Sequence, residues 1–107
     1  MLKFYGFRKD YGTHVFYVWN DTVRRLPLFL DERNHSPTGF EWGYGGSGPA
    51  QLAYAVLRQW GLIVGFSKIL AKCRYQEFKW EVVAKFDEDY WKLTAQDIFE
   101  ALDIPPQ

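Results

Sequence analysis

The chain is poor in the residues that most often carry chemistry, with one cysteine and two histidines among its 107 residues. The single cysteine, Cys73, cannot form an internal disulfide, and no CxxC pair is present to bind zinc. Cys73 falls on the apolar stripe of a predicted helix, which indicates a small buried side chain rather than a nucleophile. His14 and His35 lack the spacing of a metal site. We therefore expect no bound metal ion and no cofactor.

Net charge and long apolar segments are also missing. The 13 basic side chains balance 13 acidic ones, which disfavours a generic binder of polyanions. Apolar runs such as residues 62–66 are far shorter than the roughly 18 residues needed to span a bilayer. The chain opens on strand-like sequence at Met1, without the pattern of a signal peptide. The sequence thus predicts a cytoplasmic protein that makes no membrane contact.

Aromatic residues, by contrast, are abundant. They make up 20% of the chain, and hydrophobic residues as a whole make up 48%. This composition excludes disorder and, at this length, predicts a single domain over residues 1–107. Five Trp, seven Tyr and nine Phe exceed what so small a core needs. Some of these side chains should remain outside, either as a contact surface or as Tyr and Trp at the rim of the core.

The N-terminal part of the chain has the composition of strands. Three segments are rich in aromatic and β-branched side chains, which suit a pleated, half-buried surface: residues 2–7, 13–19 and 22–26. Turns are predicted at residues 9–12 and at Asn20-Asp21, and Pro27 should end the third strand because it lacks an amide donor. Neither face of the second strand is purely polar, so either face could be covered.

Helices are predicted in the remainder of the chain. The first takes Gly48 as its N-cap, Pro49 at its first position and Gln51 as the partner in a capping box, and it ends at Gly61. Two more are predicted from periodicity and capping signals: one over about residues 67–86, and one from Thr94 that ends before Pro105-Pro106. The expected fold is α+β, with a small three-stranded antiparallel sheet packed with two to three helices.

A glycine-rich loop, residues 31–48, separates the strands from the first helix. Loops of this length in compact domains are usually functional or disordered, and its aromatic residues predict an ordered one. Its end, residues 43–48, matches G-x-G-x-x-G, but the βαβ unit and the acidic residue of a dinucleotide site are missing. Ser47, Gly48 and the free amides of the helix could hold a phosphate or a carboxylate. Alternatively, the glycines permit close packing against Trp42 and Tyr44.

Two further kinds of site can be considered. His35 is the only base near Ser36 and Ser47, and turn-forming roles account for all three residues, so catalysis is not expected. Four basic residues cluster around the predicted strand ends, among Tyr5, Tyr11 and Tyr17: Arg8, Lys9, Arg24 and Arg25. Aromatic residues beside basic ones on a small sheet are ingredients of single-strand nucleic-acid binding. Charged residues that blunt a solvated sheet edge are the alternative interpretation of this cluster.

One block of the chain resembles a known family: Ser36 to Ala53, with the sequence SPTGFEWGYGGSGPAQLA. Residues 26–28, 75–80 and 91–94 are similar to the same family, so the resemblance covers most of residues 24–102. The family consists of small proteins of unknown function found in bacterial genomes, phages and mobile elements. It implies no catalytic residues. It does imply a setting, because small proteins of mobile elements often act by binding host or rival machinery.

The expected function is therefore a non-enzymatic protein-binding domain, of the type that inhibits a host defence complex such as CRISPR–Cas. The expected partner is a host or rival protein complex, and nucleic acid alone is not expected. The alternatives are a small ligand- or phosphate-binding domain that uses the glycine-rich loop, and a nucleic-acid-binding module. The residues expected to bind are Arg24, Arg25, Trp42, Tyr44, Ser47 and Gly48.

Overall fold

The computed structural model describes residues 1–104 of the chain. This part forms four strands and three helices, with a 3₁₀ turn at Val83–Lys85. In chain order the elements are β1 (Lys3–Lys9), β2 (Gly12–Trp19), β3 (Thr22–Arg25), α1 (Ser47–Val64), α2 (Lys68–Glu81), β4 (Tyr90–Thr94) and α3 (Ala95–Leu102). The predicted α+β class is confirmed. None of these helices is long and apolar enough to cross a membrane.

The sheet is antiparallel throughout, in the order β3-β2-β1-β4. Two-residue turns close the β1–β2 and β2–β3 hairpins, and Asp10, Tyr11, Asn20 and Asp21 all have positive φ angles. Paired positive φ angles are typical of the type I′ turn, whose twist matches that of the flanking strands. The three predicted strands and both turns are therefore present close to their predicted positions.

The prediction of three strands was wrong by one, because β4 joins the sheet from the C-terminal part of the chain. β4 pairs with β1, and Trp91 lies opposite Gly6. The Trp91 ring fills the space in which a Cβ on Gly6 would lie. Glycine inside a strand commonly marks such a close approach. This pairing joins distant segments, so the short run around Trp91 does not reveal it locally.

Both ends of α1 differ from the prediction. The N-cap is Gly46 rather than Gly48, and the helix continues past Gly61. Gly65 ends it instead, with a left-handed φ of 98° that glycine adopts without steric strain. Gly61 serves close packing, because a Cβ there would lie 2.9 Å from the carbonyl oxygen of Phe66. Its lack of a side chain reflects packing against the chain that follows the helix.

The other two helices follow the prediction more closely. α2 ends at Glu81, before its predicted end at residue 86, because the chain tightens into the 3₁₀ turn. Thr94 caps α3 through a capping box with the carboxylate three residues later, as its sequence predicts. α3 ends at Leu102, and Pro105 and Pro106 lie outside the described residues.

One buried hydrophobic cluster joins the sheet to the helices, with α1 at its centre. The largest fully buried side chains in it are Trp42, Trp60, Tyr54, Phe4 and Phe78. α2 contributes Ala71 and Tyr75 from its buried face. Cys73 is exposed on that helix, so the prediction of a buried cysteine was wrong. The other apolar residues inferred from periodicity, such as Leu70, Phe78 and Val82, do belong to the core or pack against it.

Candidate functional site

The segment between β3 and α1 is held by one fully buried side chain, Gln51. Its Oε1 accepts the amide hydrogens of His35 (2.7 Å) and Ser36 (3.1 Å), and its Nε2 donates to the carbonyls of Leu28 (2.6 Å) and Arg33 (2.9 Å). Gln51 is therefore not the capping-box residue that the sequence suggested. A buried glutamine that satisfies four backbone groups orders the loop from within.

A second polar cluster ties the same loop to the helices. The Oε1 of Glu32 accepts hydrogen bonds from Tyr54 Oη (2.6 Å) and Arg58 Nε (2.8 Å). Burial opposes ionisation of this carboxyl, but these two donors outweigh it and hold the pKa of Glu32 below its usual value. The pKa of Tyr54 is raised by burial and by its bond to Glu32. His35 Nε2 lies 2.7 Å from the hydroxyl of Tyr75.

The serines and the histidine considered for catalysis are not arranged as a nucleophile and its base. Ser36 Oγ donates to the carbonyl of Gly39 (2.7 Å), and the ring of His35 is paired with Tyr75. Ser47 lies exposed on the first turn of α1. Residues 1–104 contain no group of three His, Cys, Asp or Glu side chains that could hold a metal ion. The polar groups around the loop serve its structure.

Trp42 lies in the core and anchors the loop. Its side chain is 1% exposed, and its indole Nε1 donates to the carbonyl of Glu88 (2.9 Å). The guanidinium of Arg8 lies over the indole, 4.4 Å from the ring centroid. The same guanidinium pairs with Glu41 (2.8 Å) and Asp89 (3.1 Å). Trp42, one of the six residues expected to bind, therefore connects the loop to β1 and to the segment before β4.

The start of α1 combines one buried position with two exposed ones. Gly48 is buried, and a Cβ on it would lie 2.6 Å from the Cβ of Glu41. Ser47 is exposed, and Tyr44 is 52% exposed with its ring lying against Gly46. The N-cap makes no side-chain hydrogen bond. The glycine-rich run thus permits close packing at Gly48 and leaves free amides beside Ser47.

Arg24 and Arg25 lie on opposite sides of the sheet, because successive side chains of a strand alternate. Arg24 lines a groove of about 400 Å³ together with Gln59 and Leu62 of α1. Arg25 lies on the side away from the helices, and its guanidinium is 5.0 Å from the centroid of the Phe16 ring. The six residues expected to bind are therefore spread over β3, the loop and the start of α1.

The side of the sheet away from the helices, called here the outer face, carries a different set of residues. The strand registers place these side chains on it: Lys3, Tyr5, Phe7 and Lys9 of β1; His14, Phe16 and Val18 of β2; Val23 and Arg25 of β3; Tyr90, Lys92 and Thr94 of β4. Alternate residues such as Phe4, Val15 and Leu93 are buried in the core. No apolar side chain of the outer face belongs to the described core or packs against it.

Aromatic rings at the centre of the outer face are stacked on one another. Phe7 lies 5.1 Å from His14 and 6.0 Å from Phe16 between ring centroids, with interplanar angles of 23° and 16°. The Arg25 guanidinium lies over the Phe16 ring, and Tyr90 on β4 is directly opposite Phe7. The rings therefore form a continuous, partly exposed aromatic surface across the strands.

The charged side chains on the outer face are all basic. They are Lys3, Lys9, Arg25 and Lys92, and no Asp or Glu occupies an outer-face position. Of this face, the basic and aromatic cluster inferred from the sequence included Tyr5, Lys9 and Arg25. Phe7, Phe16 and Lys92 were missed, because their shared face is visible only once the register of all four strands is known.

No curated protein and no solved structure matches this chain. A family model does match it, over residues 4–104, which is nearly the whole chain and includes most of the outer face, the loop and all three helices. That family carries no assigned activity, so its residues bring no catalytic role with them. The chain belongs to the family of unknown function DUF6166.

Proposed function

We propose that this protein is a small non-enzymatic binding protein and that the outer face is the surface through which it binds. The observation that carries the proposal is the outer face itself, an aromatic and basic surface with no carboxylate on one side of the sheet. Its apolar side chains lie outside the core described for residues 1–104. Contiguous exposed apolar surface of this kind usually marks an interaction site.

The shape of this surface suits binding better than catalysis. Phe7, Phe16 and His14 are held against one another, so their rings lose little conformational freedom when a partner arrives. The His35 ring, the Ser36 hydroxyl and the Glu32 carboxylate are each engaged in hydrogen bonds within the loop or to the helices. Binding energy in interfaces is typically concentrated in a few aromatic and arginine side chains, and the outer face supplies both.

The resemblance to proteins of phages and mobile elements supplies the biological setting of the proposal. We propose that the partner is a component of a host or rival complex, as for an inhibitor of a defence complex such as CRISPR–Cas. Such an inhibitor acts stoichiometrically, because it occupies a surface and does not turn over. The resemblance carries this part of the proposal.

A matched pair of substitutions tests the binding surface. Val23 on the outer face and Ile69 on α2 are equally exposed, at 65% and 66%, and neither is needed for the core. Val23→Glu places a negative charge on the outer face, whereas Ile69→Glu makes the same change elsewhere. We expect Val23→Glu to abolish capture of the partner from a bacterial lysate and Ile69→Glu to retain it, with both variants keeping their melting temperature within a few degrees.

The stoichiometry of the effect separates a binder from an enzyme. Titration of the captured partner should reach full effect near one molar equivalent of the protein. Complete inactivation of the partner by a small fraction of an equivalent would overturn the proposal. Equal loss of capture in Val23→Glu and Ile69→Glu would also contradict it, because the outer face would then have no special role.

A second candidate function is binding of a phosphate or a carboxylate at the start of α1. The N-cap Gly46 has no side chain, so no cap competes with an anion for the amides of Ser47 and Gly48. Titration with inorganic phosphate, followed by the amide resonances of Ser47 and Gly48, tests this candidate. Saturable shifts confined to these two amides support it, and unchanged resonances at millimolar phosphate exclude it.

A further inference from the structure

We infer that the outer face binds single-stranded nucleic acid, an inference that rests on the proposed binding role of that face. Its observable basis is a set of stacked aromatic rings flanked by cations on a sheet surface without carboxylates. Single-strand binders combine positive charge that follows the phosphates with aromatic side chains on which the bases stack. Both elements are present on the outer face.

The strand register places the cations and the aromatic rings in rows across the sheet. Tyr5 lies opposite Lys92 on one side and Phe16 on the other, and Phe16 lies opposite Arg25. One row across the sheet therefore runs cation, ring, ring, cation, and it spans about 14 Å because neighbouring strands are about 4.8 Å apart. The two end positions suit phosphates, and the Tyr5 ring between them suits a base, next to the Phe16 ring over which Arg25 lies.

The neighbouring rows extend this pattern. The next row contains Tyr90, Phe7 and His14, so a second line of rings lies beside the first. The row on the other side contains Lys3, and Lys9 stands at the far end of β1. The aromatic centre is thus bordered by positive charge along β1 as well as at both edges. A nucleic-acid strand that crosses the sheet can therefore place its bases on the rings and its phosphates beside the cations.

The overall neutrality of the chain is compatible with this surface. None of the 13 acidic residues occupies an outer-face position, so they offset the total charge without lying between the cations. A patch of one sign attracts a polyanion locally even when the net charge of the protein is zero. The small number of cations does predict a modest dependence on salt and an affinity below that of strongly basic domains.

A single strand fits the outer face better than a duplex or an acidic peptide. In a duplex the faces of the bases are stacked on one another and are not available to Phe7 or Phe16, so the aromatic rings would gain nothing. An acidic peptide would satisfy the cations but offers few planar groups for two rows of rings. The combination therefore favours unpaired bases on a phosphate backbone.

The test uses the full chain and two labelled 12-mers, one of deoxythymidine and one of uridine, followed by fluorescence anisotropy. A 12-base-pair DNA duplex is the comparison ligand. If up to four phosphates are contacted, the logarithm of affinity should fall with the logarithm of salt with a slope of about −3, which is roughly fiftyfold between 50 and 200 mM. We expect both single strands to bind more tightly than the duplex.

Matched variants assign the binding to the outer face. Lys3→Gln combined with Lys92→Gln should weaken binding roughly tenfold or more and reduce the salt slope to about half, since two cations are lost. Lys72→Gln combined with Lys85→Gln makes the same charge change on α2 and the 3₁₀ turn and should have little effect. Phe7→Leu combined with Phe16→Leu removes the rings but not their hydrophobicity, and it should cost roughly tenfold while keeping the slope.

Four outcomes contradict the inference, and they can be told apart. Equal affinity for the duplex and the single strands excludes stacking on the rings. An effect of the Lys72 and Lys85 control as large as that of the Lys3 and Lys92 pair excludes the outer face. If no oligonucleotide binds at 50 mM salt while Val23→Glu abolishes nuclease-resistant capture of a protein, the ligand is a protein and the proposed binding role stands. If Val23→Glu changes neither oligonucleotide binding nor protein capture, both the inference of single-strand binding and the proposed binding role of the outer face fail.

Discussion

The buried carboxamide of Gln51 accepts the backbone amide hydrogen of His35 over 2.7 Å, across the boundary between the core helix α1 and the long loop before it. The same oxygen accepts the amide of Ser36, and the nitrogen of the carboxamide donates to two carbonyls of the loop. All four hydrogen-bonding positions of this side chain are therefore used. The order of the loop depends on a residue of the helix that it precedes.

Gln51→Glu tests this arrangement with almost no change in shape. The carboxylate keeps an acceptor toward His35 and Ser36 but places a second oxygen against the carbonyls of Leu28 and Arg33. We expect the free energy of unfolding at neutral pH to fall by about 3–5 kcal/mol, as for other uncompensated buried charges. Urea denaturation measures it, with Gln96→Glu on the surface of α3 as the control. A change below about 0.5 kcal/mol would show that the four bonds do not hold the loop.

The substitution Trp42→Ala tests whether the loop stabilises the fold. The indole is buried and lies between Trp91 and Arg8, so its removal should lower the free energy of unfolding by about 3–5 kcal/mol. Trp42→Phe keeps a ring but loses the hydrogen bond to the carbonyl of Glu88, so this variant should be destabilised by only about 1–3 kcal/mol. An alanine variant with an unchanged melting temperature would make Trp42 a surface residue in solution.

Gly48 and Ser47 allow a direct comparison of packing and exposure at the start of α1. Gly48→Ala places a methyl group against the side chain of Glu41 and should destabilise the protein by about 1–3 kcal/mol. Ser47→Ala changes an exposed position and should stay within about 0.5 kcal/mol of the wild type. Thermal unfolding of the two variants checks both values. Equal stability of the two variants would mean that the helix shifts away from Glu41 without loss.

Local signals in the sequence predicted the parts of the fold that local chemistry determines. The aromatic and β-branched runs, the Asn20-Asp21 turn and the cap at Thr94 are each specified by a few neighbouring residues, and each was confirmed. The glycine at the end of a helix was less informative. Gly61 and Gly65 both look like stop signals, and only the approach of the following chain to Gly61 decides between them.

Nonlocal contacts account for what the sequence did not reveal. β4 becomes a strand because Trp91 can lie over Gly6, and Gln51 is a loop anchor because the loop folds back onto α1. The outer face depends on the register of four strands, so no single strand shows that Lys92 and Arg25 border the same rings. The excess of aromatic residues did indicate that some would lie outside the core, and Tyr90 is 56% exposed.

The ion pair between Glu32 and Arg58 predicts how stability depends on pH. Burial of the Glu32 carboxyl raises its pKa, but the hydrogen bonds from Tyr54 and Arg58 outweigh burial, so the pKa in the folded state lies below its usual value of 4.5. A carboxyl with a lower pKa when folded stabilises the fold at higher pH, and that contribution is lost as the pH falls through its folded-state pKa. The loss should therefore appear below about pH 4.5.

Urea denaturation between pH 3 and pH 7 checks this prediction in three proteins. Glu32→Gln should be less stable than the wild type at neutral pH, and the difference between the two should shrink as the pH falls below 4.5. Tyr54→Phe removes one donor to Glu32, so the pKa of that carboxyl rises and the acid loss moves to higher pH. Other carboxylates titrate in all three proteins and cancel in the differences. A constant gap between wild type and Glu32→Gln across this range would show that Glu32 titrates alike in the folded and unfolded states.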